Sequence, residues 1–320
     1  MRLIDARETA AALDWPLLID ALRTLFAEGA TVPSRHVHTV QAPGAAPVTS
    51  LLMPAWRGAY YGLKTINIAP GNSTRGLPGL HAVYLLFDAA TGVPLACIDG
   101  DELTARRTVA TSALAASWLA RPDARRLLVV GAGRLAQRLP WAHRVVRPIE
   151  EVQVWARRPE QARALAGQWR EQGLQAEAVD DLEAAVRAAD IVSCATLATA
   201  PLVHGTWLAP GSHLDLIGSF TPQMREADDA CLTQARVAVD TEEALSKSGD
   251  LIGPIERGAL DPAAVVTLDQ LARGKAQGRQ SASQRTVFKS VGMALEDLAA
   301  AMLVHRGSTP QGRSTLSSGG

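Results

Sequence analysis

Residues 126–136 read Arg-Leu-Leu-Val-Val-Gly-Ala-Gly-Arg-Leu-Ala, and this stretch decides the fold of the 320-residue chain. The apolar run before the glycines predicts a buried strand that turns directly into a helix. In such a turn Gly131 permits the sharp bend, Gly133 clears space for a pyrophosphate, and small Ala136 allows close packing of helix and strand. Amides at the start of the helix then face the phosphates. The stretch therefore predicts a dinucleotide-binding unit.

A second strand, Val152–Trp155, follows at the distance that a βαβ unit needs, which favours dinucleotide binding over an ordinary turn that binds nothing. Folds specific for NAD usually place an acidic residue at the end of this strand, where it holds the ribose 2′-hydroxyl. Here the chain reads Arg157-Arg158-Pro159, with no carboxylate before Glu160. Guanidinium groups suit a 2′-phosphate, because arginine donates paired hydrogen bonds to it. We therefore predict NADPH as the cofactor, with NADH as the alternative.

The overall composition argues against several classes of function. The chain carries 32 basic and 32 acidic residues, so its charge gives no support for binding nucleic acid or a membrane surface. The N-terminal residues do not resemble a signal peptide, and no apolar run approaches the length of a membrane span. Three scattered cysteines are too few for a disulfide framework, and no cluster has metal-ligand spacing. We expect a cytoplasmic protein without a metal.

The spacing of apolar residues divides the chain into two parts. Residues 8–29 and 104–119 have helical spacing, and turn-punctuated segments between them predict an antiparallel sheet. Later strands and helices alternate, which predicts a parallel, doubly wound sheet. Pro140 should kink the helix after the glycine-rich turn, and residues 286–303 have the spacing of an amphipathic helix. The predicted strands cover residues 35–41, 49–53, 60–68, 82–87, 93–98, 152–155, 176–179, 191–194, 214–217 and 237–239, and further helices cover 160–171 and 182–188.

These elements predict an α/β protein of two domains. A Rossmann-type dinucleotide-binding domain covers residues 116–291, and a discontinuous α+β domain for substrate binding and dimerisation covers 1–115 and 292–320. Because ligands bind at the carboxyl ends of parallel strands, we expect the N-terminal sheet to cap that crevice. Residues 308–320 are rich in Ser, Gly and Pro and predict a disordered tail.

Candidate catalytic residues are cations of the first domain. Arg35 stands at a strand start, Lys64 lies in a strand of mostly uncharged residues, and Arg107 opens a helix. A cation in such a position needs an anionic partner. Each alone fits a structural ion pair, but together with a cofactor site they indicate a clamp for a small carboxylate. His36 and His38 share one strand face and could also approach a substrate.

Several short motifs fall in order along nearly the whole chain. They are Gly62-Leu63-Lys64-Thr65, Thr104–Ala113, Gly131-Ala132-Gly133, Thr196-Leu197-Ala198-Thr199, Gly211-Ser212-His213 and Phe288–Ala294. Together they resemble the ornithine cyclodeaminase and mu-crystallin family. The resemblance implies a homodimer built through the N-terminal domain, and a small amino-acid-like substrate that contacts Lys64, Arg35 and Arg107. It also implies that both arginines hold the substrate carboxylate. The residues expected at the cofactor are Thr108, Gly131, Ala132, Gly133, Arg134, Leu135, Arg157, Arg158, Thr196 and Ser290.

One departure from the family pattern separates its branches. Cyclodeaminases of the family read Gly-Asp-Cys-Pro-Gly-Lys-Thr-Glu, where the Asp handles the side-chain amine of ornithine. When the two sequences are anchored on Pro222 and Glu226, this chain has Phe220 in place of that Asp. A phenyl ring neither accepts a proton nor pairs with an ammonium, so cyclodeamination is disfavoured.

The chain is therefore predicted to be an NADPH-dependent reductase of small cyclic ketimines. The expected substrates are Δ1-pyrroline-2-carboxylate and Δ1-piperideine-2-carboxylate, which give L-proline and L-pipecolate. Lys64 would stabilise charge or donate a proton to the imine nitrogen. Three alternatives stay open, namely a redox-neutral ornithine cyclodeaminase with bound NAD, an alanine dehydrogenase-like enzyme, and a non-catalytic binding protein like mu-crystallin.

Overall fold

The computed structural model describes residues 1–308, apart from the side chains of Ser73 and Ser308. The chain forms two compact units. The first unit contains Met1–Arg107 and the segment from Met293 onward, and the second contains Thr108–Gly292. The first boundary lies inside one continuous helix, before the expected boundary after residue 115. Of the predicted tail, only Ser308 belongs to the described residues, and there it ends a helix.

The first unit is built on a six-stranded mixed sheet with the order β1-β6-β5-β4-β3-β2. Its strands are β1 (Arg2–Ile4), β2 (His36–Val40), β3 (Val48–Arg57), β4 (Tyr60–Ile68), β5 (Leu80–Asp88) and β6 (Pro94–Asp99), and its helices are α1 (Ala6–Ala12), α2 (Trp15–Glu28) and the last helix of the chain, α10 (Ala294–Ser308). Strands β2 to β6 are antiparallel as predicted, and β1, which the sequence analysis did not predict, pairs with β6 in parallel.

The single helix predicted over residues 8–29 is in fact two. Asp14 precedes the second helix, and Pro16 lies in its first turn. Proline has no backbone N–H to donate to the preceding turn, so the chain restarts a helix there rather than continuing the first.

Helix α10 packs against α2 and across β3 and β4, so the first unit brings residues 294–308 together with the N-terminal elements. Because side chains alternate along a strand, the face under α10 carries the buried residues of strands β3 to β6. Met53, Lys64 and Tyr84 are adjacent on this face, one from each of three neighbouring strands, and all are buried.

The second unit is a doubly wound sheet of eight parallel strands, which confirms the predicted Rossmann-type α/β class. The strand order is β13-β12-β14-β11-β10-β7-β8-β9. After β9 the chain crosses back to β10 on the other side of β7, so a topological switch point lies between β7 and β10. The elements are α3 (Gly100–Leu119), which starts in the first unit, β7 (Arg126–Val130), α4 (Leu139–Val146), β8 (Glu151–Trp155), α5 (Pro159–Glu171), β9 (Gln175–Ala178), α6 (Leu182–Ala188), β10 (Ile191–Cys194), β11 (His213–Leu216), β12 (Arg236–Val239), α7 (Ala244–Lys247), α8 (Gly249–Glu256), β13 (Val266–Thr267), α9 (Leu268–Ala272) and β14 (Thr286–Lys289).

Two predictions for this unit were wrong. Of the helix predicted over residues 286–303, the part from Ala294 onward is helical, but residues 286–289 form the interior strand β14, because all four are buried between β11 and β12. Pro140 does not kink a helix either. A 3-10 turn at Ala136–Arg138 precedes α4, and Pro140 falls in the first turn of α4, where a missing N–H costs nothing.

The core of the second unit is formed by the apolar strands. Val130, Val192, Leu214 and Val287, each from a different strand, are completely buried in one cluster. Burial of such a side chain contributes about 1.5–3 kcal/mol, so the strands are held by packing and the chemistry is left to the loops at their ends. Among residues 1–308, no helix has the length and apolar character needed to cross a membrane.

Candidate functional site

The glycine-rich turn has the geometry that its sequence predicts. Gly131 has a φ of 120°, and its N–H donates to the carbonyl oxygen of Trp155 at 2.8 Å. A Cβ at this position would lie 2.7 Å from the carbonyl oxygen of Ala195, so only glycine fits where the ends of β7 and β10 meet. This close approach is at the switch point of the sheet.

Gly133 faces open space. A Cβ placed on it would meet no atom within 4 Å, and the residue is exposed. The opening lies at the carboxyl end of β7, beside the 3-10 turn that leads into α4. A cradle without side chains at this place fits the pyrophosphate of a dinucleotide. Ala132, Arg134 and Leu135 flank the opening, with Arg134 exposed.

The end of β8 carries two exposed cations. Arg157 and Arg158 follow the strand, and Arg158 is the N-cap of α5, whose first residue is Pro159. Positive charge is unfavourable at a helix N-terminus, where the macrodipole is also positive. A bound anion beside these side chains would offset that repulsion.

Thr196 follows β10 and is fastened by a buried carboxylate that sequence reasoning did not assign to the site. Its N–H and Oγ1 donate to Glu226 Oε1 at 2.7 and 2.8 Å. The other oxygen, Oε2, accepts from the N–H groups of Gly218 and Ser219 at 2.8 and 3.3 Å. Burial raises the pKa of Glu226 to about 7, although nearby Lys289 opposes the shift. In the sequence, the only signal for Glu226 was that an acidic residue stands at this position of a family motif.

Ser290, at the end of β14, is fastened in the same way. Its Oγ donates to Asp240 Oδ2 at 2.9 Å, and the same oxygen accepts from the N–H groups of Val291 and Gly292. Asp240 directly follows β12, so it ties the ends of two neighbouring strands. Thr108, the remaining predicted cofactor residue, is a mostly buried residue of α3.

The first unit holds Lys64 in a buried charge cluster, composed of Lys64, Arg107, Glu296 and Asp297. Lys64 Nζ lies 2.5 Å from Asp297 Oδ2, and neither side chain is exposed. Burial lowers the pKa of Lys64 to about 8, while Asp297 opposes this shift and Arg107 adds to it. Burial also acts to raise the pKa of Asp297, but the two cations outweigh it and hold that pKa below its usual value.

Arg107 has carboxylate partners within the first unit. Its Nε donates to Asp297 Oδ1 at 2.7 Å, and its Nη1 donates to Glu296 Oε2. The prediction that a buried cation needs an anionic partner is confirmed, but the partners are residues of α10. Sequence reasoning missed both, although two adjacent acids in the first turn of a helix were a visible signal.

Arg35 and the two strand histidines fall on different faces of the sheet. Arg35 is partly exposed and directly precedes β2. The two-residue period of the strand puts Arg35 with Val37 on the face that carries Met53 and Lys64. His36 and His38 lie on the opposite face, with ring centroids 6.5 Å apart, so the strand does not bring them to Lys64.

Tyr84 is a further buried polar residue beside Lys64 that the sequence analysis did not single out. The two residues are paired across β4 and β5, and Tyr84 is fully buried. Its ring occupies the space above Gly62, where a Cβ would overlap the hydroxyl. Burial and the nearby charge of Asp297 raise the pKa of Tyr84, so the phenol stays neutral. No group of His, Cys, Asp and Glu side chains among residues 1–308 could hold a metal ion.

The fold and the cradle define a Rossmann-type dinucleotide-binding protein with a second, mixed-sheet unit. More specifically, residues 20–309 match the model of the ornithine cyclodeaminase/mu-crystallin family, and the chain belongs to that family.

Several proteins similar to this chain are named as reductases. The chain is 43% identical over 305 residues to delta(1)-pyrroline-2-carboxylate reductase of Paracoccus denitrificans, which covers 93% of this chain and 94% of the relative. It is 35% identical over 258 residues to ketimine reductase mu-crystallin of Rattus norvegicus, covering 79% of each. The solved structure of Thermococcus litoralis delta(1)-pyrroline-2-carboxylate reductase, in complex with NADH and L-proline, superposes with a TM-score of 0.90 at 30% identity and covers 98% of both chains.

Proposed function

We propose that the protein is an NADPH-dependent reductase of small cyclic ketimines, converting Δ1-pyrroline-2-carboxylate or Δ1-piperideine-2-carboxylate to L-proline or L-pipecolate. The observation that carries the proposal is the completely buried Lys64, whose pKa of about 8 suits an acid working near neutral pH. The pyrroline-2-carboxylate reductases and the ketimine reductase among the relatives support the same substrate class.

The second unit supplies the cofactor site in this proposal. The opening at Gly133 fits a pyrophosphate, and Thr196 and Ser290 stand on strand ends of the nicotinamide side of the switch point. When bound, the nicotinamide supplies a hydride for the imine carbon. Arg157 and Arg158 support NADPH over NADH, because a 2′-phosphate offers them charge-assisted hydrogen bonds.

Lys64 is the proposed acid. Reduction of a C=N bond places a hydride on carbon and a proton on nitrogen, and an ammonium can supply that proton. Asp297 keeps Lys64 charged, since its carboxylate raises a pKa that burial lowers. The lysine is thus a strong enough acid to lose its proton near pH 8 and still remains mostly protonated at neutral pH.

Arg35 is the proposed ligand of the substrate carboxylate. The charge cluster contains two cations and two carboxylates, which cancel formally when all are ionised. An anionic substrate therefore needs a further positive charge, and Arg35 stands on the same sheet face as Lys64. Arg107, predicted to share the carboxylate, donates to Asp297 and Glu296, and we propose that it acts on the reaction by lowering the pKa of Lys64.

Phe220 is the proposed specificity residue. It follows β11 and is 40% exposed, so its ring is available to pack against a ligand. An apolar ring suits an uncharged cyclic substrate and offers nothing to the second ammonium of ornithine. Redox-neutral cyclodeamination is disfavoured on the same ground.

The protein is also proposed to act as a homodimer through its first unit. The face of the sheet turned away from α10 carries a partly exposed apolar patch, with Tyr61 and Phe87 stacked at 5.4 Å. Further residues on it are Leu52, Pro54, Trp56, Leu63 and Leu85. An apolar patch of this kind is typical of an interface. Light scattering should give the mass of a dimer, and Leu63→Lys with Leu85→Lys should give a monomer; a monomeric wild type would contradict the proposal.

A reducing cytoplasmic compartment completes the proposal. Cys97, Cys194 and Cys231 are all free thiols, as expected where disulfides do not persist.

The experiment that tests the function follows NADPH absorbance with five- and six-membered cyclic ketimines, and with pyruvate plus ammonia for comparison. Fast oxidation with the cyclic ketimines is expected. Preference for pyruvate and ammonia would indicate an alanine dehydrogenase-like enzyme, and ammonia release from ornithine without net cofactor turnover would indicate a cyclodeaminase. Binding of NADPH without turnover of any of these would indicate a non-catalytic protein.

A further inference from the structure

We propose that Glu226 is a positioning residue that joins the ends of β10 and β11 into one fixed edge for the nicotinamide half of the cofactor. The inference rests on the proposed function in requiring that the second unit binds NADPH. Without this buried side chain, no shared group would hold the two separate loops in fixed positions before the cofactor binds.

The first step of the argument is the bonding of the carboxylate. Glu226 is completely buried and accepts from Thr196 through one oxygen and from Gly218 and Ser219 through the other. Thr196 follows β10 and Gly218 follows β11, and these strands are direct neighbours in the sheet. Four donors from two loops therefore converge on one side chain.

The second step is the close approach of the two loops. A Cβ on Gly218 would overlap the backbone of Thr196 and the carboxylate of Glu226. The contact thus depends on glycine at this position, and the carboxylate supplies acceptors for N–H groups that would otherwise be buried without partners.

The third step is the support behind Glu226. The N–H groups of Glu226 and Ala227 donate to Asp250 Oδ1 at 2.7 and 3.2 Å. The other oxygen of Asp250 lies 3.1 Å from Lys289 Nζ, at the end of β14. Both charged side chains are fully buried, so the backbone that carries Glu226 is itself anchored to a third strand end.

The fourth step is the position of this edge. Strand ends β10, β11 and β14 lie on one side of the switch point, while the glycine-rich turn and Arg157 belong to β7 and β8. In a Rossmann fold the two halves of a dinucleotide lie on opposite sides of that point. Glu226 therefore supports only one half of the ligand, the half that contains the nicotinamide.

The test compares two ligands on Glu226→Gln at pH 8, where a carboxyl with a pKa of about 7 is mostly ionised, with Kd measured by calorimetry. The probes are NADPH, which spans both halves, and 2′,5′-ADP, which occupies only the adenosine half. The glutamine has the same shape but turns an NH2 group toward an N–H donor. We expect Kd for NADPH to rise about tenfold or more, because a buried hydrogen bond to a charged group is lost and the nicotinamide edge is no longer fixed. The Kd for 2′,5′-ADP should stay within about threefold of wild type.

If Glu226 had a merely structural role, the binding of both ligands would weaken alike. That result would overturn the proposal, and so would an unchanged affinity for NADPH. Glu183→Gln is the matched control, since Glu183 is exposed on α6 and pairs with Arg187. If Glu226→Gln does not fold, Glu226→Asp takes its place, because aspartate keeps the charge but its shorter side chain moves the oxygens away from their donors. In that variant too, Kd for NADPH must rise while Kd for 2′,5′-ADP stays near the wild-type value. A wild type that binds NADPH but reduces no ketimine would refute the proposed function and leave this test intact.

Discussion

Lys64 Nζ and Asp297 Oδ2 are 2.5 Å apart in a place that water does not reach. Removing two charges from water costs several kcal/mol for each ion, which good geometry and additional hydrogen bonds must offset. Arg107 supplies one of those bonds by donating to the second oxygen of Asp297. The carboxylate is shared by two cations, and Lys64 is held as an ammonium with a lowered pKa.

Replacement of Lys64 by Met should lower kcat for ketimine reduction about 100-fold or more, because the proton donor is lost. Kd for NADPH should stay within about threefold, since none of the proposed cofactor contacts involves Lys64. Stopped-flow rates and calorimetry measure the two quantities. Asp297 retains Arg107 as its partner in this variant, which favours folding. Exposed Lys275→Met is the control, and an unchanged kcat for Lys64→Met would remove the lysine from the mechanism.

Replacement of Asp297 by Asn should shift the pH profile of kcat. The reaction needs protonated Lys64, so in the wild type kcat should fall as the pH rises through about 8. Asp297 raises the pKa of Lys64, and its loss should move this midpoint to lower pH. The profile is measured at saturating ketimine and NADPH, with circular dichroism to check folding. A midpoint that does not move would show that Asp297 does not tune Lys64.

Replacement of both Arg157 and Arg158 by Ser should weaken NADPH binding roughly 10- to 100-fold, because charge-assisted bonds to the 2′-phosphate are lost. NADH binding should change by less than about threefold, since NADH lacks that phosphate. Fluorescence titration with each cofactor gives the ratio. Arg163→Ser is a suitable control, as Arg163 is an exposed residue of α5 that faces Asp180. Equal loss for both cofactors would contradict an NADPH-specific role.

Glu226 should make stability depend on pH in an unusual direction. Its pKa is raised to about 7 in the folded state, chiefly by burial, so between pH 4.5 and 7 the folded protein binds more protons than the unfolded chain. Stability contributed by this residue must therefore fall as the pH rises through that range, by up to about 3 kcal/mol. Lys289 and Asp250 are the charged groups that act on it most.

Urea unfolding of wild type and Glu226→Gln at pH 5 and pH 8 checks this prediction. The free energy of unfolding of the wild type, relative to the variant, should be smaller at pH 8 than at pH 5. Titration of residues common to both proteins largely cancels in the difference. An increase with pH would show that the hydrogen bonds to the carboxylate outweigh its desolvation.

The local sequence pattern was sufficient to predict strands β4 and β10 and the turn at Gly131. Each is encoded in a short run of residues, because alternation, a continuous apolar stretch or a required glycine acts over a few positions. The family membership and the Rossmann-type class also followed from motifs in order along the chain. The two cations after β8 needed no tertiary information, since they are adjacent in sequence.

Strand β14 and the partners of the buried charges were decided only by the tertiary structure. Residues 286–289 are compatible with helix or strand, and pairing with β11 and β12 makes them a strand. Asp297 lies 190 positions from Arg107, and Glu226 lies 30 from Thr196. Periodicity reports which face of an element is apolar, but only the folded chain determines which charge meets which across such separations. A buried lysine could thus be foreseen to need a carboxylate, and only the packing of α10 on the first sheet identified it as Asp297.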